Sequence, residues 1–512
     1  MAKKKNNNIL RNLIDSLKKI FKAIFTTRLG YSIFSLLVIV IGSIFAIRYA
    51  RGSWRLTEKG VVANTGLLNV NSFPTGAQVF INDRLVTATD DTIYIDPGEY
   101  QVKIVKEGYS VWQKNLLVQE ELVTQTNATL FPNAPSLSPL TFTGVNNIHP
   151  SPDGQKILFH VSQANTPASN GFYLLELTSN FLSLQSGPRQ ITDDLPALEL
   201  DKAHIIWSPD SQEVMILVDE KFGGREFLIP IDKKSALAEQ VDISFSRSKT
   251  LSAWEEEIYQ KERLFLEKFP PEILQVATQS AKNVYISPDK KRLLYTATAD
   301  VTLPDELIPP LPAASNQVEA RDLKTGNIYV YDREEDKNFL VLNEAVRPNF
   351  PLRNLGTDGD NLNNEENAQK LDQTMSAENN NQQVELGFLN KQLLSDDLFA
   401  TEARQLEASP EAFLRLQAAL ADDKETTAIN FSNYYSGVSL NSLQWFPDSR
   451  HLLYVADGKV QIMEYDGHNN TVIYSGPLID EFVYPWPDGS QIIIYTHFSP
   501  DSPFNLYAIN LK

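Results

Sequence analysis

The chain has 512 residues, 42% hydrophobic and 21% charged, which suffices for roughly three to four domains and a sizeable buried core. It holds no cysteine, which excludes disulfides, thiolate chemistry and cysteine zinc sites while leaving the compartment open. The net charge of −18 is unevenly spread: residues 1–60 carry 12 Lys/Arg against 2 Asp/Glu, and the remainder 34 against 62, a net of −28 that repels phosphates and speaks against a nucleic-acid role.

Residues 1–28 read as a basic cytoplasmic tail and residues 29–50 as a single transmembrane helix. From Leu29 to Ile47 run 19 residues without a charge. As a helix this is about 28 Å, close to a hydrocarbon core of about 30 Å. Arg28 and Arg48 bracket the run, and Tyr49 and Trp54 stand where an interfacial aromatic belt would lie. It is apolar on every face, which disfavours a buried core helix. Eight Lys/Arg precede it and four follow closely, a bias that puts the N-terminus in the cytoplasm and the body outside. A cleaved signal peptide is the competing reading; the run is long for one, and no A-x-A site follows. Upstream, Leu10, Leu13, Ile14, Leu17, Phe21 and Ile24 fall at helical spacing opposite Arg11, Asp15, Lys18, Lys19 and Lys22. That pattern fits a basic amphipathic helix on the leaflet or a solvated continuation of the anchor. Gly42 and Ala46 are spaced to let two anchors pack closely, a spacing that also arises by chance.

After a linker at 51–65, residues 66–131 change period. Ala77, Val79 and Ile81 alternate with Gln78, Phe80 and Asn82, and Tyr100, Val102 and Ile104 with Gln101 and Lys103. Period two means half-buried strands, here about six in a small β-sandwich. Asn82-Asp83 and Pro97-Gly98 are expected to make hairpin turns. Three motifs occur in order: Ser72-Phe-Pro-Thr-Gly76-Ala77-x-Val79-x-Ile81, Asp96-Pro-Gly-Glu-Tyr100-x-Val102-x-Ile104, and Lys106-Glu-Gly-Tyr109-Ser-Val-Trp112. Together they resemble a PEGA domain, departing from it at Val86-Thr87-Ala88-Thr89. The resemblance implies an extracytoplasmic module in contact with cell wall or S-layer; a plain stalk is the alternative. Tyr109 and Trp112 either stack on a sugar face or cap the sandwich core.

A Pro-rich linker at 132–143 leads into residues 144–512, where one pattern is written five times: a short β-rich run, a Pro-Asp turn, then a second apolar run. The turn aspartates are Asp153, Asp210, Asp289, Asp448 and Asp488. Proline sets φ, aspartate bonds its own backbone, and Gly or Ser often follows. One such unit cannot bury its own apolar face, so the units must stack, and for four-stranded units the closed solution is a β-propeller. The units resemble TolB-type propeller repeats, and the whole order resembles PEGA-containing membrane proteins of small-genome bacteria. The fold expectation is therefore all-β: one transmembrane helix, a PEGA sandwich, then a propeller of five to seven blades with helical and disordered insertions.

Successive aspartates are 57, 79, 159 and 40 apart, against about 40–45 residues per blade. Insertions are thus expected at about 234–281, 300–320 and 345–430. Residues 250–281 read as helix broken at Pro270-Pro271, 352–383 as disordered and 391–423 as helical again. The longest gap has room for a degenerate blade. The segment near Leu140–Phe142 is expected to complete the last blade with Leu506–Leu511, closing the ring. Ser499-Pro-Asp-Ser502 reads as a loop within that blade.

No catalytic, cofactor or metal residues are assigned. Gly437-Val-Ser439-Leu-Asn441 fails the nucleophile-elbow pattern at its last position. The histidines 149, 160, 204, 451, 468 and 497 lack H-E-x-x-H spacing, and Asp358–Asn363 places Leu362 at a calcium-ligand position. The expectation is a non-enzymatic, membrane-anchored cell-envelope protein without cofactor, binding a protein or cell-wall glycan partner. The alternatives are a propeller hydrolase or lyase with a central-channel site, and a structural surface spacer.

Overall fold

The computed structural model describes residues 28–50, 54–56, 62–177, 187–195, 197–219, 224–309, 311, 315–343, 443–479, 482–499 and 502–512. The amphipathic pattern before residue 28, the polar stretch 352–383, the helical pattern 391–423 and the Asp358–Asn363 loop fall outside them. The chain divides into two compact units, Met1–Ile104 with Gln113–Thr129, and Val105–Trp112 with Leu130–Lys512.

The expected N-terminal helix is present as α1, Arg28–Ala50, 23 residues long. Its apolar side chains are open to solvent, Leu36 at 63% and Ile39 at 60%. Among the described residues, however, no helix is long and apolar enough to cross a membrane. A short ladder, Trp54–Leu56 against Val62–Asn64, occupies the linker.

The β-sandwich reading of 66–131 holds in its strands. Gly66–Val70 lies between Asp91–Ile95, antiparallel, and Val123–Gln125, parallel. A second sheet takes the order Arg84–Ala88, Gln78–Ile81, Gly98–Val105, Trp112–Val118. Alternate residues point inward: Leu68, Val70, Val79, Val102 and Ile104 are all fully buried. Asn82 and Asp83 both take left-handed φ, 48° and 61°, which a two-residue hairpin demands of its central pair. Pro97-Gly98 makes no hairpin; it carries the chain from one sheet to the other. At the departure from the PEGA pattern, the buried Thr89 hydroxyl accepts the Ala77 N–H at 3.0 Å and meets the Ser72 hydroxyl at 2.8 Å. Trp112 is buried to 2% exposure, so its ring is closed to a sugar face.

Beyond it, among the described residues, stand five antiparallel sheets of three or four strands, each opened by one Pro-Asp turn, and a two-stranded ladder, Val301–Thr302 against Asp322–Leu323. The first blade is Asn146–Pro150, Lys156–Val161, Gly171–Glu176 and Arg189–Gln190; the second is His204–Trp207, Glu213–Val218 and Arg225–Pro230. The third is Ala281–Ile286, Arg292–Ala297, Ile328–Asp332 and Lys337–Leu342; the fourth is Gln444–Trp445, His451–Ala456, Lys459–Glu464 and Thr471–Tyr474. The fifth joins Val483–Pro485, Gln491–Thr496 and Asn505–Asn510 to an early segment, Leu137–Pro139. That completing strand lies in the Pro-rich linker, earlier than the expected Leu140–Phe142, and pairs antiparallel with Tyr507–Ile509. Proline is tolerated there because this is the sheet's edge.

The turns share one chemistry. The residue after each aspartate is left-handed: Gly154, Ser211, Lys290, Ser449 and Gly489, with φ from 56° to 72°. In the three Ser-Pro-Asp copies the serine hydroxyl donates to the aspartate and accepts the N–H five residues on, at 3.0, 2.8 and 2.9 Å for Lys156, Glu213 and Arg292. Where Phe446 replaces serine, the His451 ring meets Asp448 at 2.6 Å instead.

Inner strands are buried on both faces because each blade is sandwiched. Ile157, Phe159 and Val161 pack on the fifth blade, while Leu158 packs on the second. The third and fourth blades share a core around Leu294, Val330, Leu452 and Tyr454, and the fourth and fifth around Leu453, Ile462, Ile492 and Ile509. The third blade thus meets the fourth directly. The succession breaks elsewhere. Ile206 and Met215 of the second blade pack on Leu251 and Trp254 of α2 (Arg247–Leu266); Leu293 and Tyr295 of the third pack on Ile273 and Val276 of α3 (Pro271–Gln279). The expected closed ring of sheets is therefore not formed: two helices stand where second and third blades would meet. α2 touches both flanking turns, with Lys261 donating to the Pro209 carbonyl at 3.3 Å and Lys290 sitting 4.9 Å over the Phe265 ring.

Candidate functional site

The helical break expected at Pro270-Pro271 builds a cleft. α2 ends as the Phe269 N–H bonds the Leu266 carbonyl at 2.9 Å, and Pro271 occupies the first turn of α3, where a missing N–H costs nothing. Two further segments face this corner. One is the turn Arg333–Glu334 of the third blade, pinned by Asp332 accepting the N–H groups of Glu334 at 2.8 Å and Glu335 at 3.2 Å. The other is Leu307–Ile308, held as Asp336 accepts the Leu307 N–H at 2.7 Å. Lys268, Phe269 and both prolines complete a cleft of about 430 Å³, within the usual range of small-ligand pockets.

Its charges are unbalanced. Glu334 is taken by Lys291, 2.9 Å away. Lys268 and Arg333 pair with no carboxylate among the described residues. The Arg333 guanidinium lies 5.9 Å from the Phe269 ring centroid and reaches the Lys268 carbonyl only at 3.5 Å. Its Nε is buried with no hydrogen-bond acceptor. The cleft thus offers two cations, one carboxylate oxygen pair and apolar walls, the equipment of recognition.

Other polar interiors are spent on the fold. The Arg292 Nε lies 2.7 Å from Asp332, an Nη donates to the Ser449 carbonyl at 2.9 Å, and the guanidinium lies 4.1 Å from the Tyr465 ring centroid. Burial works against the guanidinium charge, but Asp332 and Asp289 outweigh it and push its pKa up. Burial, then Asp332, raises the Glu335 carboxyl. Burial opposes ionisation of Asp448 and Asp210, yet His451 at the one and the Ser208 and Gln212 donors at the other hold each below the usual carboxylate range. His160 is 2% exposed, its ring nitrogens unbonded and its Nε2 3.9 Å from Asp194; burial, partly countered by Asp194 and Asp201, pushes its pKa down. Among the described residues no group of three or more His, Asp or Glu could hold a metal ion.

The cleft residues were not singled out in the sequence. Lys268, Leu307 and Arg333 are far apart along the chain, and only the double proline marked their meeting point.

Residues 65–133 match the family model described as the PEGA domain. No curated protein matches the chain. Solved structures similar to it include TolB from Agrobacterium tumefaciens, at 11% identity, covering 72% of this chain and 77% of that one with a TM-score of 0.20. TolB from Acinetobacter baumannii is 9% identical over 80% of this chain and 59% of its own, with a TM-score of 0.19. An oligogalacturonate lyase in complex with manganese is 10% identical over 88% and 91%, with a TM-score of 0.19. The protein thus carries a PEGA domain followed by a bladed body with TolB structures among its neighbours.

Proposed function

We propose that this is a non-enzymatic, membrane-anchored protein of the cell envelope that binds a partner, with the cleft beside α3 as its contact point. α1 is the anchor, the basic tail lies in the cytoplasm, and the PEGA domain and blades lie outside. The supporting observation is the cleft: two cations without carboxylate partners over apolar walls, in a body whose net charge is −28 beyond residue 60. The uncharged run at 29–47 and the excess of Lys/Arg before it support the anchor and its orientation.

Two experiments test this. Gentle crosslinking in cells followed by pull-down is expected to recover an envelope protein or cell-wall material with the wild type, and much less with Lys268→Glu/Arg333→Glu. Equal recovery from both would reject the cleft as the contact point. Protease added to intact cells is expected to digest the acidic body; protection until lysis would reject the orientation.

A further inference from the structure

We infer that the cleft captures the C-terminal end of a peptide whose last residue is apolar. This deepens the proposed function and rests on the cleft being the contact point. Each part of such a ligand answers a part of the lining. The terminal carboxylate answers Lys268 and Arg333, whose charges no carboxylate of the described residues neutralises. The planar guanidinium suits a carboxylate, two parallel N–H donors meeting two oxygens. The apolar side chain answers Phe269, Leu307, Ile308 and the prolines. The peptide N–H answers Glu334, whose carboxylate Lys291 holds at 2.9 Å.

Competing anions fit less of this surface. A phosphate-rich polymer leaves the apolar walls without a partner. A uronic-acid glycan sets hydroxyls against side chains that offer no hydrogen bond. A fatty acid has no N–H for Glu334.

The test uses the full chain in nanodiscs and fluorescence anisotropy of a labelled pentapeptide ending in leucine. Binding is expected with the free carboxylate, and amidation is expected to weaken it at least ~10-fold, about 1.4 kcal/mol. Replacing the last leucine by serine is expected to weaken it by a similar factor. Arg333→Gln and Lys268→Gln are each expected to weaken it ~10-fold, with thermal unfolding confirming the fold; Lys268→Gln keeps the test open if Arg333→Gln misfolds. Equal binding of free and amidated peptides overturns the inference, as does displacement by octanoate as effective as by unlabelled peptide. If crosslinked capture depends on Lys268 and Arg333 but no such peptide binds, the peptide assignment falls and the cleft remains the contact point. If capture ignores both residues, the proposed function falls first.

Discussion

The Asp289 N–H donates to the Ser449 hydroxyl at 2.9 Å, joining two Pro-Asp turns that are 160 residues apart in the chain. The same bond recurs between the first and second blades, from Asp153 to Ser211 at 3.1 Å. Each is accompanied by a tryptophan: Trp207 Nε1 donates to the His149 carbonyl at 3.3 Å, and Trp445 Nε1 to the Tyr285 carbonyl at 3.2 Å. In these two pairs one blade follows the other in a fixed register because the turn that opens one sheet is bonded to the turn that opens the next.

Ser449→Ala is therefore expected to destabilise the protein by about 1–3 kcal/mol, the cost of leaving a part-buried N–H without an acceptor. Ser211→Ala is expected to cost a similar amount. The two pairs share no partner, so the double variant should show their sum. Urea denaturation midpoints measure this; an unchanged midpoint for Ser449→Ala would show that the bond holds nothing together.

Two features favour glycine at the fifth turn. Gly489 has φ of +66°, and an added Cβ would lie 3.0 Å from Phe446. Gly458 has a similar φ of +65° and open space around it. Gly458→Ala isolates the left-handed penalty of about 1–2 kcal/mol. Gly489→Ala is expected to cost that and about 1 kcal/mol more for the crowding. Equal losses would mean that the Phe446 ring yields freely.

His160 makes stability pH-dependent. Burial pushes its folded pKa below the usual imidazole value of about 6.5, so the unfolded chain binds the proton first. The contribution of His160 is fully present above about pH 6.5 and is lost as pH falls from there through the folded pKa. Wild type is expected to melt earlier at pH 5.5 than at 7.5, and His160→Leu is expected to lose part of that difference. Identical pH dependence in both would assign the effect to other groups.

The helical seam should be the place where the body yields. Trp254 is 7% exposed and packs α2 on the second blade. Trp254→Ala is expected to cost about 3–5 kcal/mol. Hydrogen exchange should rise along α2 and the exposed face of the second blade before it rises between the third and fourth. Uniform acceleration over all five blades would reject a local seam.

The Pro-Asp turns were legible because their chemistry is local. The proline, the aspartate and, in three copies, the serine that bonds it lie within three consecutive positions. The helices around Trp254 and Leu274 were legible from their spacing. Their role was not: that α2 and α3 interrupt the stack depends on which faces Met215 and Tyr295 present, a tertiary fact with no sequence period. The completing strand was misplaced by a few residues because Leu140 and Phe142 look more strand-like than Leu137-Ser138-Pro139. Pairing there is decided by the partner edge of Asn505–Asn510. The cleft was illegible because cations and apolar walls come from three distant segments, each unremarkable alone.

The fifth sheet joins one strand from the start of the bladed region to three from its end, with Asn510 bonding Ser136 across 374 positions. During synthesis the early segment must wait, unpaired, while the ribosome makes nearly everything else. The last blade is consequently the final one to assemble, and a ribosome stalled before Asn505 would release a chain with two raw sheet edges, the kind that chaperones hold and proteases find.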